Sequence, residues 1–192
     1  LATEPRWFRV HETFTEDADL AAAIMTTLVQ ELQGGPVNRN TNVALTMKHF
    51  PGGGPQELGL DPHYTFGKNQ VYPARRFDDH LKPFKAAIEA GVSSIMPYYG
   101  VPIGLSYDGV TYNPIGMAFS SQIITDLLRT KLGFRGYVNS DTGIINSRAW
   151  GFENMTESER VAVAINAGTD ILSGFRTKET IVELVQKGLV SQ

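Results

Sequence analysis

One pattern recurs in this chain and limits what it can fold into: the end of a helix, an Ala-Gly break, and a short apolar strand. Residues 86–96 read AAIEAGVSSIM, and residues 164–172 read AINAGTDIL. Repeated helix-to-strand units of this kind build a parallel sheet, open or closed into a barrel. The remaining segments fit the same scheme. The spacing predicts a first helix over residues 16–33, capped by Thr15, with Leu20, Ile24, Leu28 and Leu32 as its apolar stripe and Gly34 as its stop. Strands are predicted at 43–47, 93–96, 137–139 and 170–172. Further helices are expected over 79–90, from Ser120 or Ser121 through Leu132, around Val161 and Ile165 behind a Thr156/Glu159 capping box, and over 178–187. Two long segments, 51–77 and 97–119, are rich in Gly and Pro and read as loops, and loops this long inside a compact domain are commonly functional.

The polar residues then fall into place. Lys48 and His49 follow the first predicted strand, Tyr98 and Tyr99 the second, Ser140 and Asp141 the third, and Ser173 the fourth. Arg9 precedes the first helix. In an all-parallel arrangement these positions share the C-terminal edge of the sheet, where α/β barrels and open α/β sheets keep their sites.

Asp141, in GFRGYVNSDTG, is a carboxylate at a strand mouth, placed to attack an anomeric carbon or to stabilise an oxocarbenium ion; the alternative is a cap on the next helix. Lys48 and His49 are placed to hold sugar hydroxyls and keep that carboxylate ionised; the alternative is a snorkelling Lys and a core His. Tyr99 can offer a hydroxyl to the nucleophile or pack as a loop aromatic. Trp150 can stack on a sugar face or fill a rim or core position. Asp61 and His63 form an acid–imidazole pair that a surface turn explains equally well. The run Gly52, Gly53, Gly54 is followed by Pro55 rather than by a helix, so it reads as a turn passing close to its neighbours and not as a phosphate cradle.

Composition excludes several classes. The 192 residues contain no cysteine, so disulfides and thiolate metal sites are ruled out, and the four histidines lack metal-site spacing. No metal or other cofactor is expected. The net charge of −3, without a basic block, argues against nucleic acid as a partner. There is no apolar run of membrane-spanning length and no apolar leader at the start. Compartment stays open. Charged residues make up 19% of the chain, below the roughly 25% of an average domain, which points to surface covered by further chain or by closure.

Taken together, five segments resemble glycoside hydrolase family 3. EPRWFRVHETFTED is similar to the family's PRWGR and ETFGED motif, VALTMKHFPGGG to its KHFxG motif, and LKPFKAAIEAGVSSIMPYYG to the helix and strand before its conserved tyrosine. LLRTKLGFRGYVNSDTG is similar to the nucleophile motif GFxGxVxSDW, and AVAINAGTDIL to a late barrel unit. The resemblance implies an α/β fold, a partial (β/α)8 TIM-type barrel with parallel strands, incomplete in this chain. It implies Asp141 as the residue forming the covalent glycosyl-enzyme, with Arg9, Lys48, His49 and Tyr99 binding the sugar. The implied activity is retaining, exo-acting cleavage of terminal β-linked glucose or a related sugar, with a carbohydrate as the partner.

The chain also departs from the family pattern. Thr142 stands in place of Trp, Phe8 in place of the Gly of PRWGR, and Gly53 where many members carry His. Family members have barrel strands ahead of the PRWGR motif, and the β-glucosidase branch draws its acid/base from a second domain. Residues 1–192 are therefore expected to be part of one barrel domain whose first strands and partner domain lie outside it, and inactive alone. Two alternatives stand beside this reading. One is the β-N-acetylhexosaminidase branch, whose acid/base is a His in a DSH triplet near the position of Asp61-Pro62-His63. The other is a non-catalytic sugar-binding fragment.

Overall fold

The computed structural model describes residues 1–41 and 43–191. In chain order its strands are β1 (Thr46–Phe50), β2 (Asn69–Gln70), β3 (Ser94–Pro97), β4 (Val101–Pro102), β5 (Ser106–Tyr107), β6 (Val110–Thr111) and β7 (Tyr137–Val138). Its α-helices are α1 (Ala18–Leu28), α2 (Phe77–Glu89), α3 (Glu157–Asn166) and α4 (Lys178–Gln186). The central sheet runs β1-β3-β7, all parallel, and a parallel bridge from Asn139 to Ile171 carries it one step further. This is the order of helix-separated strands in a barrel wall, and among the described residues the sheet does not close.

The first strand lies three residues later than predicted. Val43 and Ala44 are exposed, and pairing runs from Thr46 opposite Ser94 to Phe50 opposite Pro97. Partner register decided this, not the local apolar run. Leu45 joins β3 through its carbonyl alone, which accepts the Ser94 N–H at 3.1 Å, because the Gln33 side chain takes its N–H. Lys48 and His49 are therefore inside β1, not beyond it. Lys48 pairs with Met96 and Phe50 with Pro97, so His49 is the extra residue of a bulge. A bulge re-aims a side chain and is common beside sites. Here it buries both His49 and Phe50 in succession.

The first helix also departs from its prediction. Asp17 caps it, its Oδ1 accepting the N–H groups of Asp19 and Leu20 at 2.8 and 3.1 Å. After Leu28 the chain widens into a π-helical turn, Val29–Gln33, that ends at Gly34. The predicted stripe faces outward at both ends, with Leu20 52% and Leu32 56% exposed. The buried line is Ala21 and Val29, with Met25 partly covered between them. Small Ala21 lets α1 lie close on α2. The buried face also advances in steps of four, from Ala21 through Met25 and Val29 to Gln33, one residue later than the predicted stripe and so about 100° further around the helix.

Other units match their predictions. In α2, Leu81 and Phe84 are buried. Ser120 caps the helical segment Gln122–Lys131, wound as a π-helix, by accepting the Ile123 N–H at 3.3 Å. Ile123, Ile124, Leu127 and Leu128 of that segment are fully buried against the sheet. The Thr156/Glu159 capping box is present. Gly136 marks the entry to β7, where any Cβ would land on the Ser93 carbonyl oxygen of the neighbouring strand. The predicted strand at 170–172 is reduced to its single bridge, because the Asp170 carboxylate accepts the Val138 N–H at 2.6 Å in place of a backbone partner. Within the long loops, β2 pairs with β4, and an Asp108-Gly109 turn joins β5 to β6.

Candidate active site

Three elements deliver the polar groups to one edge. β1 supplies His49, the segment after β3 supplies Tyr98 and Tyr99, and the segment after β7 supplies Asp141. His49 is 8% exposed, with its ring 5.2 Å from that of Tyr98 and 6.5 Å from that of Tyr99. Its Nε2 lies 3.4 Å from Asp141 Oδ2, a contact longer than an ordinary hydrogen bond. Asp141 Oδ1 accepts the Thr142 N–H at 2.6 Å. Ser140, fully buried, fixes the backbone beneath: its Oγ accepts the Ser173 N–H at 2.9 Å and donates to the Asp141 carbonyl. Ser173 thus stands beside Asp141 as its position after a strand predicts.

The electrostatics follow from this packing. Burial pushes His49 below the ordinary histidine range, and the charges of Lys48 and Arg9 push the same way, against the pull of Asp141. His49 is therefore neutral near pH 7 and offers a neutral N–H. Burial pushes Asp141 upward, but the His49 contact, the Thr142 amide and the Arg148 charge outweigh it, and its carboxyl sits below the usual carboxylate value. A carboxylate that is partly buried and still ionised is the form a nucleophile requires.

Arg9, Lys48 and His49 share the wall of a cavity of about 330 Å³ between β1, α1 and α2, a size at the small end for a ligand pocket. Arg9 makes a two-bond pair with Glu12, at 2.8 and 2.6 Å, so its guanidinium is already held. Lys48 is exposed. Asp141 and Tyr99 do not line this cavity; His49 is the residue common to both groups. The far walls are apolar, with Met25, Val29 and Phe84.

Of the two sequence readings for Tyr99, the packed aromatic is the one observed. Its hydroxyl does not bond Asp141; it lies 3.0 Å from His63 Nε2. Burial and the neighbouring Asp141 charge push it up to about 12. His63 Nδ1 in turn is 2.6 Å from Asp61 Oδ1. The Asp61–His63 pair, which a surface turn would explain, is folded back onto the site. Trp150 secures it, being buried and donating Nε1–H to the Pro62 carbonyl at 3.1 Å. Of the two sequence readings for Trp150, the packed position is the one observed. The three glycines pack against Tyr98, His80 and the N-terminal segment as a close-approach turn.

Two charged residues were missed, Glu12 and Arg148. Glu12 was visible as an i, i+3 partner of Arg9. Arg148 carried no periodic or motif signal; only the turn that follows Asp141 brings it over the Tyr99 ring, 5.1 Å from the centroid.

Comparison with known proteins adds the following. The family model described as "Glycosyl hydrolase family 3 N terminal domain" matches residues 1–192. The chain is 45% identical to a probable beta-glucosidase C of Aspergillus flavus, over 100% of this chain and 31% of that protein. It is 32% identical to a periplasmic beta-glucosidase/beta-xylosidase of Dickeya chrysanthemi, over 100% of this chain and 32% of that protein. Among solved structures, a glycoside hydrolase family 3 beta-N-acetylglucosaminidase from Paenibacillus sp. superposes with a TM-score of 0.78 at 26% identity, covering 100% of this chain and 35% of the other. The chain thus spans about a third of the length of the relatives it matches.

Proposed function

The chain belongs to glycosyl hydrolase family 3, and from that premise we propose that it carries the nucleophile and part of the sugar-binding wall of a retaining, exo-acting β-glycosidase of β-glucosidase type. The observation that carries the reading is the seat of Asp141: a partly buried carboxylate at the sheet's C-terminal edge, 3.4 Å from His49 Nε2 and held below its usual pKa. Asp141 Oδ2 attacks the anomeric carbon, the glycosidic C–O bond breaks, and the leaving oxygen takes a proton from a general acid. Water then attacks the glycosyl-enzyme, its proton returning to the conjugate base, and the sugar leaves with its configuration retained. Arg9, Lys48 and His49 face the sugar hydroxyls. Tyr99 stands behind them as a link to His63. Residues 1–192 act as part of one barrel domain in a longer polypeptide, whose remainder supplies further strands and the general acid.

The test is trapping. Full-length protein treated with 2,4-dinitrophenyl 2-deoxy-2-fluoro-β-glucoside, whose leaving group needs no acid, should gain one fluoroglucosyl unit mapped to Asp141. Turnover without any adduct at Asp141 would sink the reading.

A second reading is favoured by one observation, the short Asp61–His63 contact that orients Nε2 toward Tyr99. It makes His63 the acid/base of a β-N-acetylhexosaminidase, with the acid inside this chain. On that reading His63→Ala spares substrates with activated leaving groups and cripples those with poor ones. Equal rates on both classes reject it.

A further inference from the structure

The turn after Asp141 holds a cation whose surroundings are unusual. The Arg148 guanidinium donates through Nη2 to the Thr142 carbonyl and lies over the Tyr99 ring, 5.1 Å from its centroid. Its Nε is buried with no hydrogen-bond partner, and among the described residues Arg148 makes no ion pair. Gly143 makes room for it: a Cβ there would sit 3.0 Å from Nη2, on a backbone with φ of +77°. Ser147 closes the turn by donating both its N–H and its Oγ–H to the Gly143 carbonyl, at 3.0 and 2.9 Å. The turn is therefore built around the guanidinium rather than merely carrying it.

We propose that Arg148 is the positioning residue of this site, holding Tyr99 and the turn that carries Asp141 in one arrangement and placing a permanent charge on the carbonyl of Thr142, the residue next to that carboxylate. The inference rests on Asp141 being the nucleophile. A guanidinium stays protonated across the working pH range, so its effect on Asp141 is constant, unlike that of a histidine. The charged and titratable groups facing Asp141 are His49 from β1, Tyr99 from the segment after β3, and Arg148 from its own turn; Arg9 and Lys48 act on His49 from behind. Of these, His49 is neutral near pH 7 and Tyr99 is an uncharged phenol. Arg148 is then the fixed positive charge closest in effect to the nucleophile, and its stacking on Tyr99 fixes the ring that contacts His63.

The experiment measures the pH dependence of covalent inactivation by the same dinitrophenyl fluoroglucoside, which reports the nucleophile without the general acid. In full-length protein, Arg148→Gln should move the acid-side midpoint up by about 0.5 to 1 pH unit. Arg148→Lys keeps the charge and loses the planar stack, so its midpoint should stay with the wild type while inactivation slows. A midpoint unmoved in Arg148→Gln, with rates lower by one factor at every pH, overturns the inference, as does an equal shift in both variants. Should Arg148→Gln yield no folded protein, Gly143→Ala crowds the guanidinium instead; an upward shift supports the inference and an unmoved midpoint overturns it. Absence of any adduct at Asp141 in the wild type marks failure of the nucleophile assignment itself, a separate result from an adduct whose pH profile ignores Arg148.

Discussion

Replacing Gln33 by leucine tests the packing logic of this fold directly. Gln33 is 3% exposed, and its amide makes four hydrogen bonds to backbone: Oε1 accepts from Leu45 N at 3.1 Å and Ser93 N at 3.0 Å, and Nε2 donates to Gly35 O at 2.6 Å and Gly91 O at 2.8 Å. One side chain thus ties the end of the first helix to the entries of β1 and β3. Gln33→Leu keeps the volume and removes every bond. Two orphaned amides cost about 1–3 kcal/mol each, and the added apolar burial returns about 1 kcal/mol. The net loss is roughly 1–5 kcal/mol, which at about 2–4 °C per kcal/mol for a domain of this size lowers the melting temperature by roughly 2–20 °C. Gln33→Glu retains the oxygen that accepts from Leu45 and Ser93 and, once protonated, one donor, so it should fall between. The assay is a thermal melt of the full-length protein alongside amide hydrogen exchange at Leu45 and Ser93, whose protection should collapse in Gln33→Leu. A melting change under about 2 °C with both amides still protected would refute the claim that this staple sets the register of β1.

Three further outcomes follow from the geometry. His49→Phe keeps a ring in the nest beside Tyr98 and Tyr99 but removes the contact to Asp141; burial then dominates that carboxyl, and the acid limb of kcat/KM should rise by about one pH unit, read with an activated aryl β-glucoside. Gly136→Ala drives a methyl into the Ser93 carbonyl between β3 and β7; soluble yield and the melting temperature should fall more than for Gly188→Ala, where a Cβ meets nothing and only the positive φ resists. Thr156→Ala removes the oxygen that accepts the Glu159 N–H at 3.3 Å and should destabilise α3 by about 1 kcal/mol, measured by exchange at Glu159 in the intact protein.

The helix-to-strand units were legible because their signals are local: a glycine at each break, a cap, and an apolar strand that must be buried. What escaped was set by distant partners. The first strand was misplaced because Val43–Leu45 is as apolar as a strand, and only pairing with Ser94–Pro97 selects the later register. The apolar stripe of α1 was misread because Leu20 and Leu32 look like core and Ala21 does not, yet close approach to α2 favours the small residue. Asp141, Lys48, His49 and Arg9 were legible as a group because strand ends and the loop before the first helix are countable, and their roles are proposals. The target of the Tyr99 hydroxyl, the pinning of Pro62 by Trp150 and the stacking of Arg148 depend on loops meeting across as many as 88 residues of chain, and no local pattern encodes that.

The pair formed by His49 and Asp141 ties the site's chemistry to acid sensitivity through one sign. Asp141 has its pKa lowered in the fold, so its contribution to stability is present above its unfolded value near 3.8 and is lost as pH falls through the folded value. His49 is also lowered, here because burial disfavours its charged form. Its neutral state is fully favoured above its ordinary 6.5, and stability is lost as pH falls below that toward the folded pKa. Both groups therefore weaken the site in the same direction. They also oppose each other locally, since a proton on His49 would help keep Asp141 ionised. Because the two side chains are 3.4 Å apart, they release protons as a coupled pair. The acid limb of any activity measured for this site then belongs to the pair, and an environment that keeps His49 neutral holds the aspartate ready through hydrogen bonding and the fixed Arg148 charge rather than through a second titrating cation.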